Sequence, residues 1–264
     1  STSVYAMLLK EIADEIALVD LDDKRSNAEV LDIRHGFAEV SKTVVKKGTY
    51  ADCKDSDIIV ITAGVARKVG ESRNDLLLKN SKIMESICNE IKSTGTNAIV
   101  VVVSNPVDVL ANHVAKFLQM PKGRVFGTGC TLDTSRMVAL LADKLNKPVS
   151  SIVAPVVGEH GDEQIVLWDE VTVDGKPANF SEEEKKQYAE DVKRAGMTII
   201  EGKGKTYYGI ATTVCAIASA ILLDHPMKYA VSVPDENAEK ALSMVCTIAA
   251  NGIVETFPYK KQEK

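Results

Sequence analysis

The sequence lacks the marks of several large function classes. No Cys-x-x-Cys pair occurs, and Cys53, Cys88, Cys130, Cys215 and Cys246 are scattered and odd in number. That argues against a zinc site and against a disulfide framework; the cysteines read as reduced core residues of a cytoplasmic protein. The four histidines do not cluster at ligand spacing, so no metal is expected. The formal net charge of -5 offers nothing to attract nucleic acid or an anionic membrane as the main partner. No apolar run approaches the ~18 residues that cross a bilayer. No basic segment followed by an apolar core opens the chain, so no signal peptide is expected. One further absence bears on the fold: no Gly-x-Gly-x-x-Gly turn precedes the first helix.

What remains is a chain of 264 residues, 45% hydrophobic, enough to bury one large core or two modest ones. Its first half alternates strand-like and helix-like segments. Helices are expected from Val4 to Ile16, Asn27 to His35, Leu76 to Ser93 and Pro106 to Phe117, with strands near 16–20, 43–45, 57–62, 98–103 and 125–127. The β-branched run from Ala98 to Val103 suits a strand covered on both faces. Such alternation implies a parallel sheet built from βαβ units. The second half reads differently: a helix from Thr134, short hairpin-like strands between 153 and 173, and two long helices, one opening on Ser181-Glu182-Glu183-Glu184. The reading is α/β in two lobes, a doubly wound parallel sheet over 1–127 and an α+β substrate domain over 128–264, with a helix over 209–226 packing back on the first.

On the first lobe Asp20 ends a strand, where an acid in doubly wound folds accepts hydrogen bonds from a ribose; an Asp there is also a common cap. The absent glycine turn would normally seat a pyrophosphate on a helix N-terminus. Either the first, central strand and its turn are missing from the chain, or the fold binds no dinucleotide. The first option is preferred, because a sheet without that strand leaves an open edge.

Three patterns carry the chemistry: Gly158-Glu159-His160-Gly161-Asp162 after an apolar strand, Leu132-Asp133-Thr134-Ser135-Arg136 at a helix start, and Gly70-Glu71-Ser72-Arg73-Asn74-Asp75-Leu76 before a long helix. A lone His is more often structural, and a lone Arg more often a surface charge. Together with Ile61-Thr62-Ala63-Gly64 and Ser104-Asn105-Pro106-Val107-Asp108, in this order and at these separations, the set resembles the L-lactate/malate dehydrogenase family over nearly the whole chain.

The resemblance implies a Rossmann-type fold, NAD as cofactor, a small 2-keto or 2-hydroxy acid as substrate, and a homodimer or homotetramer. His160 is then the acid/base, its ordinary pKa near 6.5 suiting both directions. Asp133 holds the other imidazole nitrogen. Arg136 binds the substrate carboxylate as a fork that Lys could not imitate. Arg73 polarises the carbonyl from a closing loop. Asn105 lies near substrate and nicotinamide, and Thr62, Ala63 and Gly64 line the cofactor groove together with Asp20. Within the family Arg67, on the loop before Arg73, points to malate, since burying the second carboxylate of oxaloacetate needs a counter-charge. Thr206 and the Gly-Glu-Ser-Arg string point to lactate. Malate and oxaloacetate are the preferred expectation, lactate and pyruvate the alternative, and a non-catalytic relative the remoter one. The stretch from Pro234 to Asn251 is expected to be too short for the two strands the family places there, and Asp235 to Lys240 matches no pattern.

Overall fold

The computed structural model describes residues 1–65 and 73–259, without the side chains of residues 73 and 74. In chain order the elements are α1 (Thr2–Lys10), β1 (Glu15–Leu18), α2 (Asp23–Phe37), β2 (Val44–Lys47), β3 (Ile58–Ile61), α3 (Arg73–Ser93), β4 (Ile99–Val102), α4 (Val107–Leu118), β5 (Val125–Gly127), α5 (Thr131–Leu145), β6 (Ile152–Val153), β7 (Val156–Gly158), β8 (Gln164–Val166), β9 (Thr172–Val173), β10 (Lys176–Pro177), α6 (Glu182–Lys203), α7 (Tyr208–Leu222), β11 (Met227–Val233), β12 (Leu242–Ala249) and β13 (Gly252–Phe257).

Local chemistry sets most boundaries. Asp22 caps α2 by accepting the Lys24 and Arg25 N–H groups. Ser181 and Glu184 close a reciprocal capping box on α6. Helix α1 stops at Lys10, earlier than the apolar spacing suggests, because Glu11 turns left-handed and its N–H bonds back to the Leu8 carbonyl. Helix α5 begins at Thr131 rather than Thr134, which puts Asp133 inside its first turn.

The α/β expectation holds. β3, β4 and β5 pair in parallel, and Val100, Val101 and Val102 of β4 are fully buried between helix layers. Burying each such side chain contributes about 1.5–3 kcal/mol. β1 and β2 form a separate parallel pair. Among the described residues β1 and β3 are not paired, yet Ile16 of β1 and Ile58 and Val60 of β3 pack on one cluster of Met7, Ile12, Val214, Cys215 and Ala218. The doubly wound sheet is thus interrupted where its first central strand is expected. Helix α7 supplies three residues of that cluster.

The two halves share one eight-stranded sheet, ordered β3-β4-β5-β11-β12-β7-β8 with β13 against β12. The join is antiparallel and is filled with small residues. Ser232 of β11 stands opposite Gly127 of β5 and Ser243 of β12, and Ser243 stands opposite Gly158 of β7. Gly129 (φ +49) passes so close that a Cβ there would lie 2.3 Å from Ser243 Oγ. The stretch from Pro234 to Asn251 holds one strand, β12, where the resemblance places two, and Gly252 (φ +87) turns the chain tightly into β13.

Candidate active site

The first half contributes the ends of β3 and β4. Thr62, Ala63 and Gly64 follow β3 and are exposed. They are held from below by side chains. The Ser104 hydroxyl, just after β4, donates to the Ala63 carbonyl at 2.5 Å. Asn80 of α3 is buried; its carboxamide oxygen accepts the Val65 N–H at 2.9 Å and its nitrogen donates to the Asn105 carbonyl at 2.9 Å. One carboxamide therefore joins both strand-end loops. A Cβ on Gly64 would meet Asn80 Oδ1 at 3.4 Å, so Asn80 lies directly beneath this glycine. The Asn105 side chain accepts the Val107 N–H at 3.2 Å at the start of α4 and remains exposed.

The second half contributes the proton-handling cluster. His160 follows β7 between Gly158 (φ +90) and Gly161 (φ +117), conformations that a side chain would strain. Its Nδ1 lies 2.6 Å from Asp133 Oδ2. An ionised carboxylate only accepts, so Nδ1 carries the proton and Nε2 is left for a reacting group. The other Asp133 oxygen accepts from Arg136 Nη1 at 2.9 Å, one helical turn on. The Asp133 side chain is 2% exposed, against 17% for Arg136 and 25% for His160. Arg136 lies against α6, where a Cβ on Gly196 would sit 3.4 Å from Nη2. Burial pulls the His160 pKa down, but the Asp133 hydrogen bond and the Asp133 and Asp108 charges outweigh it, and the net shift is upward from 6.5.

The expected residues fare differently. Asp133, Arg136 and His160 come together as one hydrogen-bonded set. Thr62, Ala63, Gly64 and Asn105 come together through Ser104 and Asn80. Asp20 is exposed beyond β1, and its Oδ1 accepts the Asp22 N–H at 2.9 Å, so it also shapes the turn into α2. Thr206 is half-buried between α6 and α7. Arg73 begins α3, and its side chain is not described. Arg67 lies outside the described residues. Sequence reasoning passed over Asn80, Gly196 and Asp108. Asp108 stood inside a quoted motif, where its apolar neighbours on α4 were the clue to a buried acid. Among the described residues no group of three or more His, Cys, Asp or Glu could hold a metal, and all five cysteines are free and buried.

Comparison with known proteins accords with this geometry. Residues 1–127 match the NAD binding domain model of lactate/malate dehydrogenase, and residues 130–261 match the alpha/beta C-terminal domain model. An L-lactate dehydrogenase of Halalkalibacterium halodurans is 44% identical over 84% of this chain and 73% of its own. L-lactate dehydrogenase 3 of Bacillus cereus is 40% identical over 88% of this chain and 77% of its own. Two solved structures superpose closely. One is a lactate dehydrogenase from a Medee basin deep-sea metagenome library, with TM-score 0.94 and 32% identity over 99% of this chain and 88% of that one. The other is a minor L-lactate dehydrogenase from Enterococcus mundtii, with TM-score 0.92 and 33% identity over 97% and 86%. These relatives overturn the expectation of a malate or oxaloacetate preference: they are named lactate dehydrogenases, and the alternative reading is the better supported. The physical reason is that one arginine in a loop is not evidence of a buried carboxylate, since a charge in water needs no partner.

Proposed function

The chain belongs to the lactate/malate dehydrogenase family, and we propose that it is an L-lactate dehydrogenase in which His160 exchanges the proton. The observation that carries this reading is the 2.6 Å contact of His160 with the buried Asp133. Asp133 keeps the proton on Nδ1 and offsets the charge of the imidazolium. Nε2 then holds the proton given to the carbonyl oxygen of pyruvate in reduction and taken back from lactate in oxidation. Arg136 is already half-buried and held by Asp133, so its remaining N–H groups can take the substrate carboxylate without first being ordered. Thr206 would border the substrate, and Arg73, at the start of α3, would polarise the carbonyl.

NAD is the cofactor, and when bound it supplies the hydride exchange at its nicotinamide. The residues present fit it. The strand ends after β1, β3 and β4 are exposed and carry Asp20, the Thr62-Ala63-Gly64 backbone and Asn105. Asp20 would accept from the ribose hydroxyls. Thr62, Ala63 and Gly64 would line the groove, and Asn105 would border nicotinamide and substrate.

The test is optical: NADH oxidation with pyruvate against oxaloacetate at equal concentration. Faster turnover of pyruvate is expected, and an equal or greater rate with oxaloacetate would overturn the lactate reading. We also read the protein as a cytoplasmic homodimer or homotetramer, supported by its free cysteines and by exposed Met197, Ile199 and Ile200 on α6. A monomer by light scattering would refute the assembly.

A further inference from the structure

We propose that Asp108 is a positioning residue for His160, clamping its backbone and setting a second negative charge beside the imidazole. The inference rests on the reading of His160 as the acid/base. Asp108 is 3% exposed in the first turn of α4. Its Oδ2 accepts the His160 backbone N–H at 2.7 Å, and its Oδ1 accepts the Ser232 hydroxyl of β11 at 2.5 Å. Its own carbonyl accepts the Ala241 N–H at 3.0 Å, just before β12. One residue of the first half thus grips the His160 turn and two stretches of the joining sheet.

Both Asp108 oxygens meet donors, which suits the ionised form, and the N-terminus of α4 favours a negative charge. Burial works against it and pushes its pKa up, while Ser232 and the His160 N–H pull it back. Among the described residues, the charges acting on the imidazole include Asp133 and Arg136 from α5 and Asp108 from α4, while the adjacent Glu159 is paired with Lys240 of the β11–β12 connection. Glu159 and Lys240 cancel one another. Among the described residues, two carboxylates then favour a proton on His160 and one guanidinium opposes it. A clamp on the backbone also fixes where the ring can point, so that Nδ1 reaches Asp133 without a search over turn conformers.

The test uses Asp108→Asn, which keeps the shape and an oxygen for the His160 N–H but removes the charge. In the resting protein the imidazole titration of His160, followed by NMR, should move to lower pH by about 1 unit. The pH profile of kcat/KM for pyruvate should move the same way, and kcat should fall about tenfold with KM nearly unchanged. A midpoint and profile equal to the wild type, in a folded Asp108→Asn, would refute the proposal. If that variant does not fold, the wild-type His160 amide answers: donation to a buried carboxylate requires strong protection from hydrogen exchange, and exchange at the rate of an open turn refutes the clamp. The underlying reading fails separately, by a His160→Asn variant that still turns over pyruvate. The two NMR measurements need no turnover and still report on Asp108 in that event.

Discussion

Two regions of the site differ in how much of their structure is already in place. Around His160 the polar partners are already in place: buried Asp133 holds the ring, half-buried Arg136 holds Asp133, and buried Asp108 holds the backbone. Along the strand ends, Asp20, Thr62, Ala63, Gly64 and Asn105 are all exposed, and the ends of β3 and β4 are tied by Asn80 and Ser104 beneath them. Proton transfer tolerates little misplacement, so its groups are fixed in advance. A nucleotide brings its own surface and can complete an open groove, so the rim can stay wet at small cost. The contrast implies that substitutions in the cluster should reduce kcat, while those at the rim should raise the cofactor KM and leave kcat alone.

The sharpest break is His160→Asn, which removes the acid/base and keeps the size. Turnover of pyruvate should fall by about 10²–10⁴-fold, measured as kcat at saturating NADH. In the wild type the same group sets the pH dependence. Its folded pKa lies above 6.5, and reduction needs the protonated form, so kcat/KM for pyruvate should be flat at low pH and fall as pH rises through the raised value. Lactate oxidation should show the opposite limb. A profile without that limb would mean that another group handles the proton.

Arg136→Lys keeps the charge but loses the fork. Charge-assisted hydrogen bonds are worth about 1.5–3 kcal/mol, so kcat/KM for pyruvate should drop by roughly one to two orders of magnitude. An unchanged KM for pyruvate would place the substrate carboxylate elsewhere. Asn80→Ala tests the rim from below. It strips partners from the Val65 N–H and the Asn105 carbonyl, which should cost about 1–3 kcal/mol of stability in urea unfolding. The NADH KM should rise while kcat with saturating NADH stays close to wild type, and a loss confined to kcat would contradict the comparison. The smallest effect is expected from Asp20→Ser at the exposed end of β1: a rise of a few-fold in the NADH KM, about the worth of one solvated hydrogen bond. Insensitivity to this change would reduce Asp20 to its role in the turn before α2.

Much of this was legible in the chain. The apolar run of β4 and the alternation around it dictate a parallel sheet, because backbone polar groups buried on both faces must pair within it. His160 between two glycines, with Asp133 and Arg136 three positions apart, could be read as a reactive set through the family resemblance that these motifs carry. The same resemblance misjudged the substrate, since Arg67 as a letter does not say whether water or a carboxylate faces it.

Only the tertiary structure decided that Asp108 grips His160, that Asn80 ties the two strand-end loops, and that β11 joins β5 to β12 across a row of Gly and Ser. Asp108 and Ser232 are 124 positions apart, and Asp108 and the His160 amide 52. Sequence periodicity reports which face of an element is buried, because that depends on neighbours three or four residues away. It does not report which buried face meets which. That choice belongs to the global packing, and in this protein it makes an acid of the first half the anchor of the histidine in the second.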